Sequence, residues 1–172
     1  VDKSEYIMRN LFLFFVITLL FTSCKKDPFF SNFDRIEYYH LRSDSLLNEI
    51  PNDLVWQKVI NEDYPLTLND TLFYKKLSAE YFNEKSFSKK DVETFKEIFN
   101  SSTFTDIYTT ACIPDYRDVL ILKKSYKIVG IVKICLGCEM NYIIGKDQNN
   151  KTIKNSGGLE KKELEMLLKK YK

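Results

Sequence analysis

Two apolar runs in the second half of the chain decide the fold: Asp118–Lys123, which reads DVLILK, and Lys127–Cys135, which reads KIVGIVKIC. Both runs are rich in β-branched residues, and only the polar Lys124-Ser125-Tyr126 separates them. Two such runs around a short polar turn are typical of an antiparallel hairpin. The sequence therefore predicts a central hairpin over about residues 118–136 of a small antiparallel sheet.

Further strand patterns flank the hairpin. Ile36, Tyr38 and His40 occupy alternate positions of the chain, which indicates a half-buried strand. Residues 141–145, NYIIG, can add a strand after the hairpin. Residues 48–63 supply apolar mass but their pattern is ambiguous, and residues 66–77 have β-rich patches without a clean period.

Two amphipathic helices are predicted, one on each side of the hairpin. Ser88 followed by Asp91 has the pattern of a helix N-cap with an acid in the first turn, and it begins a helix over about 89–100. Apolar residues recur at helical spacing over about 159–171, after the Gly157-Gly158 break. Helix, hairpin, strand and helix in this order favour an α+β domain with both helices packed on one face of the sheet.

The first residues of the chain have the pattern of an export signal. Arg9 precedes the apolar run Leu11–Phe21, which is shorter than the ~20 residues that a membrane-spanning helix needs. A charged start, a short apolar stretch and a small residue such as Ser23 at the exit are typical of a secretory signal peptide. We interpret residues 1–23 as this peptide, with residues 1–7 upstream of the native start.

The end of this segment carries a more specific signal. Leu20–Cys24, which reads LFTSC, resembles a lipobox, and residues 22–27, which read TSCKKD, resemble those of Bacteroidota-type lipoproteins. The resemblance implies that the thiol of Cys24 is lipidated, and that the protein lies in the cell envelope, anchored in the outer membrane on its periplasmic side or at the cell surface. Residues 24–32 are polar and suit a tether, and residues 33–172 have the length of a single globular domain.

Composition and charge indicate which classes of partner the protein can bind. The chain has 172 residues, a formal net charge of +2, 11 tyrosines and 13 phenylalanines, which is enough large apolar surface to offset the entropy cost of folding. No clustered basic stretch of the kind that nucleic-acid binding requires is present. We therefore expect a globular protein that does not bind nucleic acid.

Three cysteines other than the lipidated one remain in the predicted domain: Cys112, Cys135 and Cys138. If the hairpin turns around residues 124–126, the register of its strands places Cys112 opposite residues 137–139. The three sulfurs can therefore converge at the open end of the hairpin.

This convergence leaves several interpretations open. A disulfide from Cys112 to Cys135 or Cys138 suits an oxidising envelope, and Cys135 with Cys138 has the Cys-x-x-Cys spacing of a redox pair. Three sulfurs with His40 or a carboxylate as a further ligand would suit zinc, which takes about four ligands. The thiols can also be buried and free.

A wider pattern surrounds these cysteines. Cys-x-Pro at 112–114, Tyr-Arg-Asp at 116–118, the hairpin and Cys-x-x-Cys at 135–138 together resemble a group of uncharacterised bacterial lipoproteins. The resemblance covers about residues 88–170 and implies no particular activity.

Other residues that could carry chemistry are few. Tyr116, Arg117 and Asp118 form a candidate surface contact, in which Arg117 and Asp118 would be a surface ion pair. His40 is the single histidine, so a hydrolase built on a histidine base would have to use it. The sequence contains none of the GxSxG, HExxH, P-loop or GxGxxG motifs.

The sequence therefore favours a non-catalytic, envelope-anchored binding or structural protein over an enzyme. Its lipid would hold it on the membrane, and its protein partner is expected to be another envelope protein or a toxin. The alternative is a thiol-redox or zinc-binding module that uses Cys112, Cys135 and Cys138.

Overall fold

The computed structural model describes residues 32–42, 54–77, 81–101, 112–146, 152–158 and 161–172. The predicted signal peptide, the lipidation residue Cys24 and all but the last residue of the predicted tether lie outside the described residues. Within the described part, no helix is long and apolar enough to cross a bilayer.

The strands of the described chain form one antiparallel sheet, which confirms the predicted α+β class. Their spatial order is β2-β1-β3-β4-β5-β6, so the predicted hairpin, β3 with β4, lies in the middle. The strands are β1 (Arg35–Leu41), β2 (Phe82–Ser86), β3 (Asp118–Lys124), β4 (Lys127–Cys135), β5 (Met140–Lys146) and β6 (Thr152–Gly158).

The turn of the central hairpin uses backbone conformations that residues other than glycine rarely adopt. Ser125 and Tyr126 have φ values of 47° and 68°, in the left-handed region that matches the twist of a two-residue hairpin turn. A bulge between Leu122 and Lys123 shifts the register, so most pairs lie one residue away from the predicted register. The hairpin ladder then ends at the pair of Asp118 and Ile134.

The described helices are α1 (Leu54–Asn61), α2 (Thr71–Lys76), α3 (Lys89–Ser101) and α4 (Lys161–Lys169). The helices α3 and α4 correspond to the two that the sequence predicts. The helices α1 and α2 were not predicted, and neither were β2 and β6. The predicted chain break at Gly157-Gly158 is also wrong. These two glycines are the last residues of β6, where they pair with Asn141 and Met140 of β5.

The alternation of side chains along each strand produces two apolar layers, one on each face of the sheet. On one face, Leu120 and Val132 pack with α3 and α4, as the sequence predicts for these two helices. On the other face, Val119 and Ile131 pack with residues of α1 and α2, among them Trp56. The sheet is therefore covered on both faces, whereas the sequence accounted for one.

The predicted N-cap of α3 is confirmed and is extended by the end of the chain. The Ser88 hydroxyl accepts a hydrogen bond from the Asp91 main-chain N–H at 3.2 Å. The Tyr171 hydroxyl accepts one from the Ser88 N–H at 2.9 Å and donates one to the Asp91 carboxylate at 2.7 Å. Hydrogen bonds from Lys170, Tyr171 and Ser88 lower the pKa of Asp91 to about 2.

Candidate functional site

A disulfide and a free thiol lie together where β4 ends. Cys112 is bonded to Cys138, with their Cα atoms 5.9 Å apart, and Cys135 is free and buried. Because the hairpin ladder ends at Asp118, the residues that precede β3 run past the turn that follows β4. The structure thus brings all three predicted cysteines to the open end of the hairpin and pairs Cys112 with Cys138.

The free sulfur is held by main-chain groups. The N–H groups of Asp115 and Cys138 both donate to the Cys135 sulfur, each at 3.3 Å. The side chain of Cys135 belongs to the apolar layer that contains α1 and α2, and the residue is 3 % exposed. The Cys135 sulfur therefore contacts both the segment before β3 and the turn after β4.

The single histidine does not join this cluster. His40 Nδ1 lies 2.7 Å from an Asp118 carboxylate oxygen, next to Tyr38, whose side chain packs in the layer with α3 and α4. Cys135 packs in the opposite layer, so the sheet separates the two residues. No group of three histidine, cysteine or acidic side chains in the described residues is arranged to hold a metal, and the placement of His40 gives no support to a zinc site shared with the cysteines.

The expected surface contact at residues 116–118 is wrong for two of its three members. Tyr116 is fully buried and Asp118 is 2 % exposed, so neither side chain is presented to a partner. Arg117 pairs with Asp115 at 2.7 Å. The sequence pattern suggested a surface ion pair because Arg117 and Asp118 are neighbours, but the Asp118 side chain is buried.

Asp118 instead joins strands inside the fold. It accepts hydrogen bonds from the Tyr38 hydroxyl and from His40, and its second oxygen lies 3.3 Å from the Lys172 ammonium. Burial raises the pKa of the Asp118 carboxyl, but the hydrogen bonds from His40 and Tyr38 and the charge of Lys172 outweigh burial, so the pKa lies below its usual value. A charged carboxylate therefore ties β1, β3 and the last residues of the chain together.

A buried lysine is the feature that sequence reasoning missed. Lys133 is fully buried in the centre of β4, and its ammonium donates to the main-chain oxygens of Glu62, Tyr64 and Lys58 at 2.6, 3.0 and 3.4 Å. The same ammonium lies 4.3 Å from the ring centre of Tyr116. The sequence signal for this residue was a charged lysine inside the apolar run KIVGIVKIC. Because lysine is almost never fully buried unless it is paired, a lysine in such a strand indicates a buried partner.

The environment of Lys133 opposes its charge. Burial lowers the pKa of the Lys133 ammonium to about 7, and the charges of Asp63 and Glu62 act in the opposite direction. At the end of α1 the Lys58 oxygen also accepts a hydrogen bond from the Glu62 N–H at 3.2 Å, and the Glu62 oxygen accepts one from the Tyr64 N–H at 2.8 Å, so Lys133 adds a second donor to each of these oxygens. Lys133 therefore caps α1 from the sheet.

The other end of the hairpin carries an exposed aromatic side chain. Tyr126, in the β3–β4 turn, is 81 % exposed, and the guanidinium carbon of Arg35 lies 4.9 Å from the centre of its ring. Both residues line a depression of about 660 Å³, together with Phe87 and Lys89. Because β4 has nine residues, roughly 25 Å separates this depression from the cysteine cluster.

Comparisons of this chain with protein-family models, with curated proteins and with solved structures find no match. Its function is therefore inferred from the residues described above.

Proposed function

We propose that this chain is an envelope lipoprotein, anchored through a lipid on Cys24, whose folded domain binds a partner without catalysing a reaction. The observation that carries the binding role is the turn residue Tyr126, which is 81 % exposed. The anchor is supported by the lipobox-like residues Leu20–Cys24.

The buried charges support a non-catalytic role because each of them has a structural task. Asp118 joins two strands and Lys172, and Lys133 caps α1. Asp91 connects the start of α3 to Lys170 and Tyr171. Groups with perturbed pKa values are candidates for catalysis, but these three are engaged by other elements of the fold.

The exposed turn has the chemistry of a recognition site. Tyrosine and arginine are enriched among the residues that dominate binding energy at interfaces, and here Arg35 lies against the Tyr126 ring. The left-handed backbone at Ser125 and Tyr126 is the geometry that a two-residue hairpin turn requires. The turn therefore holds a large aromatic side chain in solvent at the tip of the hairpin.

The charges around Tyr126 indicate the chemistry of the partner. Arg35, Lys89, Lys124 and Lys127 are exposed close to the turn in sequence or in the same depression, whereas Asp34 is the acidic residue that lines it. A basic surface of this kind attracts a partner that presents carboxylates, and the attraction weakens as salt screens it. An acidic segment of another envelope protein, or an acidic toxin, fits this surface.

The experiment is affinity capture with chemical cross-linking from envelope extract, using the lipidated full chain. Tyr126→Ala should reduce the recovered partner by about 30-fold, the effect of losing roughly 2 kcal/mol at a dominant interface residue. Arg35→Glu should weaken capture most at low salt, because it reverses a charge at the surface.

A matched control is Leu66→Ala, which truncates a side chain that is 60 % exposed in the loop between α1 and α2. This variant should capture the partner as well as the parent chain does. The proposal fails if no partner is recovered reproducibly, or if Tyr126→Ala and Leu66→Ala capture equally well.

A further inference from the structure

Three sulfur atoms surround the turn between β4 and β5, and they differ in exposure. Cys135, the last residue of β4, is 3 % exposed. Cys138 lies within the turn and is partly buried, while its disulfide partner Cys112 is exposed. A buried thiol therefore lies beside a disulfide that has one exposed sulfur.

The free thiol lies between the two segments that the disulfide joins. One N–H donor to the Cys135 sulfur belongs to Cys138 itself, at 3.3 Å. The other belongs to Asp115, on the segment that begins at Cys112, also at 3.3 Å. Any bond that holds Cys112 to Cys138 therefore holds both of these segments against the Cys135 sulfur.

The free sulfur is close to one end of the disulfide. Thiol–disulfide exchange requires a thiolate and a disulfide within reach of each other, and the Cys135 sulfur lies 3.3 Å from the main-chain nitrogen of Cys138. The turn is also open on its outer side, because a Cβ atom placed on Gly137 would meet nothing within 4 Å. The residue between Leu136 and Cys138 therefore has no packed neighbour that would hinder a movement of the turn at that position.

We propose that Cys135 and the Cys112–Cys138 disulfide form a thiol–disulfide exchange site. Cys135 loses its proton to solvent and its thiolate attacks the Cys138 sulfur. The Cys135–Cys138 bond forms, the Cys112–Cys138 bond breaks, and the electron pair leaves on the Cys112 sulfur, which takes up a proton. One thiol and one disulfide are present before and after the step, so no external oxidant is needed.

The exchange changes which thiol reaches solvent. In the described arrangement the free thiol is the buried Cys135, and after exchange it is the exposed Cys112. An exposed thiol can form a mixed disulfide with a cysteine of another protein. The exchange site lies at the opposite end of the hairpin from the binding surface at Tyr126. The two proposals are therefore independent, and a test of one does not decide the other.

The test traps the free thiol in the folded protein. The full chain carrying Cys24→Ser, so that only three cysteines remain, is incubated with N-ethylmaleimide and digested with trypsin. A Cys135–Cys138 bond lies within the single peptide of residues 134–146, whereas a Cys112–Cys138 bond links two peptides. Mass spectrometry therefore distinguishes the two isomers.

If the proposal is correct, label accumulates on Cys112 together with the Cys135–Cys138 bond. Cys135→Ser keeps an atom that accepts hydrogen bonds but lacks the nucleophile, so Cys112 should be labelled at least about tenfold more slowly in this variant. Label on Cys135 alone, with the Cys112–Cys138 bond retained throughout, would show a structural thiol and overturn the proposal.

A second variant keeps the test valid if Cys135→Ser folds poorly. Cys112→Ser leaves Cys135 and Cys138 as the pair, and oxidised glutathione should convert them to an internal disulfide with release of two glutathione thiols. If Cys138 instead retains glutathione while Cys135 stays a thiol in this variant, the two sulfurs cannot react with each other and the proposal is wrong.

Discussion

The ammonium group of Lys133 donates a hydrogen bond to the main-chain oxygen of Glu62 at 2.6 Å. Lys133 lies in the middle of β4, whereas Glu62 follows the last residue of α1. A side chain of the sheet thus adds hydrogen bonds to the end of a helix in the neighbouring layer. The ordinary cost of burying an ammonium is offset by three main-chain oxygens and by the ring of Tyr116.

Lys133→Met should destabilise the domain. Methionine has a similar length but no donor, so it removes three hydrogen bonds to main-chain oxygens, although the Lys58 and Glu62 oxygens keep the N–H groups of Glu62 and Tyr64. The expected cost is about 1 to 3 kcal/mol in the free energy of unfolding. Urea unfolding measures the difference. Lys127→Met, on an exposed position of the same strand, is the control and should change stability by less than about 0.5 kcal/mol. Equal or greater stability of Lys133→Met would mean that burying the charge costs more than the hydrogen bonds contribute.

The buried ammonium should also make stability depend on pH. The pKa of Lys133 is about 7 in the folded chain against a usual 10.5, so between these values the unfolded chain binds more protons. The free energy of unfolding should therefore rise with pH across this window, with no contribution from Lys133 to the slope below about pH 7. Unfolding measured at several pH values in the parent and in Lys133→Met isolates this slope, since other titrating groups cancel in the difference. A difference between the two that stays constant over the window would contradict the shift.

Tyr171→Phe should lower the stability of the domain by weakening the contact between the end of the chain and α3. The hydroxyl bridges the Ser88 N–H and the Asp91 carboxylate, and removing it should cost about 1 kcal/mol while the ring keeps its stacking on Phe87. Thermal unfolding provides the measurement. Tyr126→Phe, which alters an exposed hydroxyl, is the matched control, and an equal effect of both variants would argue against the bridge.

Cys24→Ala should prevent lipidation and release the protein from the membrane fraction. The thiol of Cys24 is the attachment atom in the lipobox interpretation, and a diacylated cysteine holds a chain on a bilayer by burying its acyl chains. Intact-mass spectrometry and membrane fractionation are the measurements. Cys112→Ala, which removes a cysteine outside the lipobox, should remain in the membrane fraction. If Cys24→Ala stays in the membrane fraction and still carries the mass of the attached lipid, Cys24 is not the anchor.

The parts of the fold that could be predicted from sequence are those whose signals are local. The hairpin of β3 and β4 follows from two β-branched runs around a short polar turn, and the start of α3 follows from Ser88 and Asp91. The helices α1 and α2 have eight and six residues, too short to be stable by themselves. They depend on packing against the sheet, and this is why residues 48–77 gave no clear period.

For the candidate sites, the hairpin register predicted from the sequence allowed the three cysteines to converge at the open end of the hairpin. The sequence by itself could not choose between Cys135 and Cys138 as the partner of Cys112, nor could it assign Lys133 and Asp118 to the interior. Tertiary structure decided these points, because Cys135 points into the layer with α1 and α2 while the turn carries Cys138 to Cys112. The charges of Lys133 and Asp118 are tolerated inside only because distant segments, the end of α1 and the residues around Tyr38 and Lys172, supply their hydrogen-bonding partners.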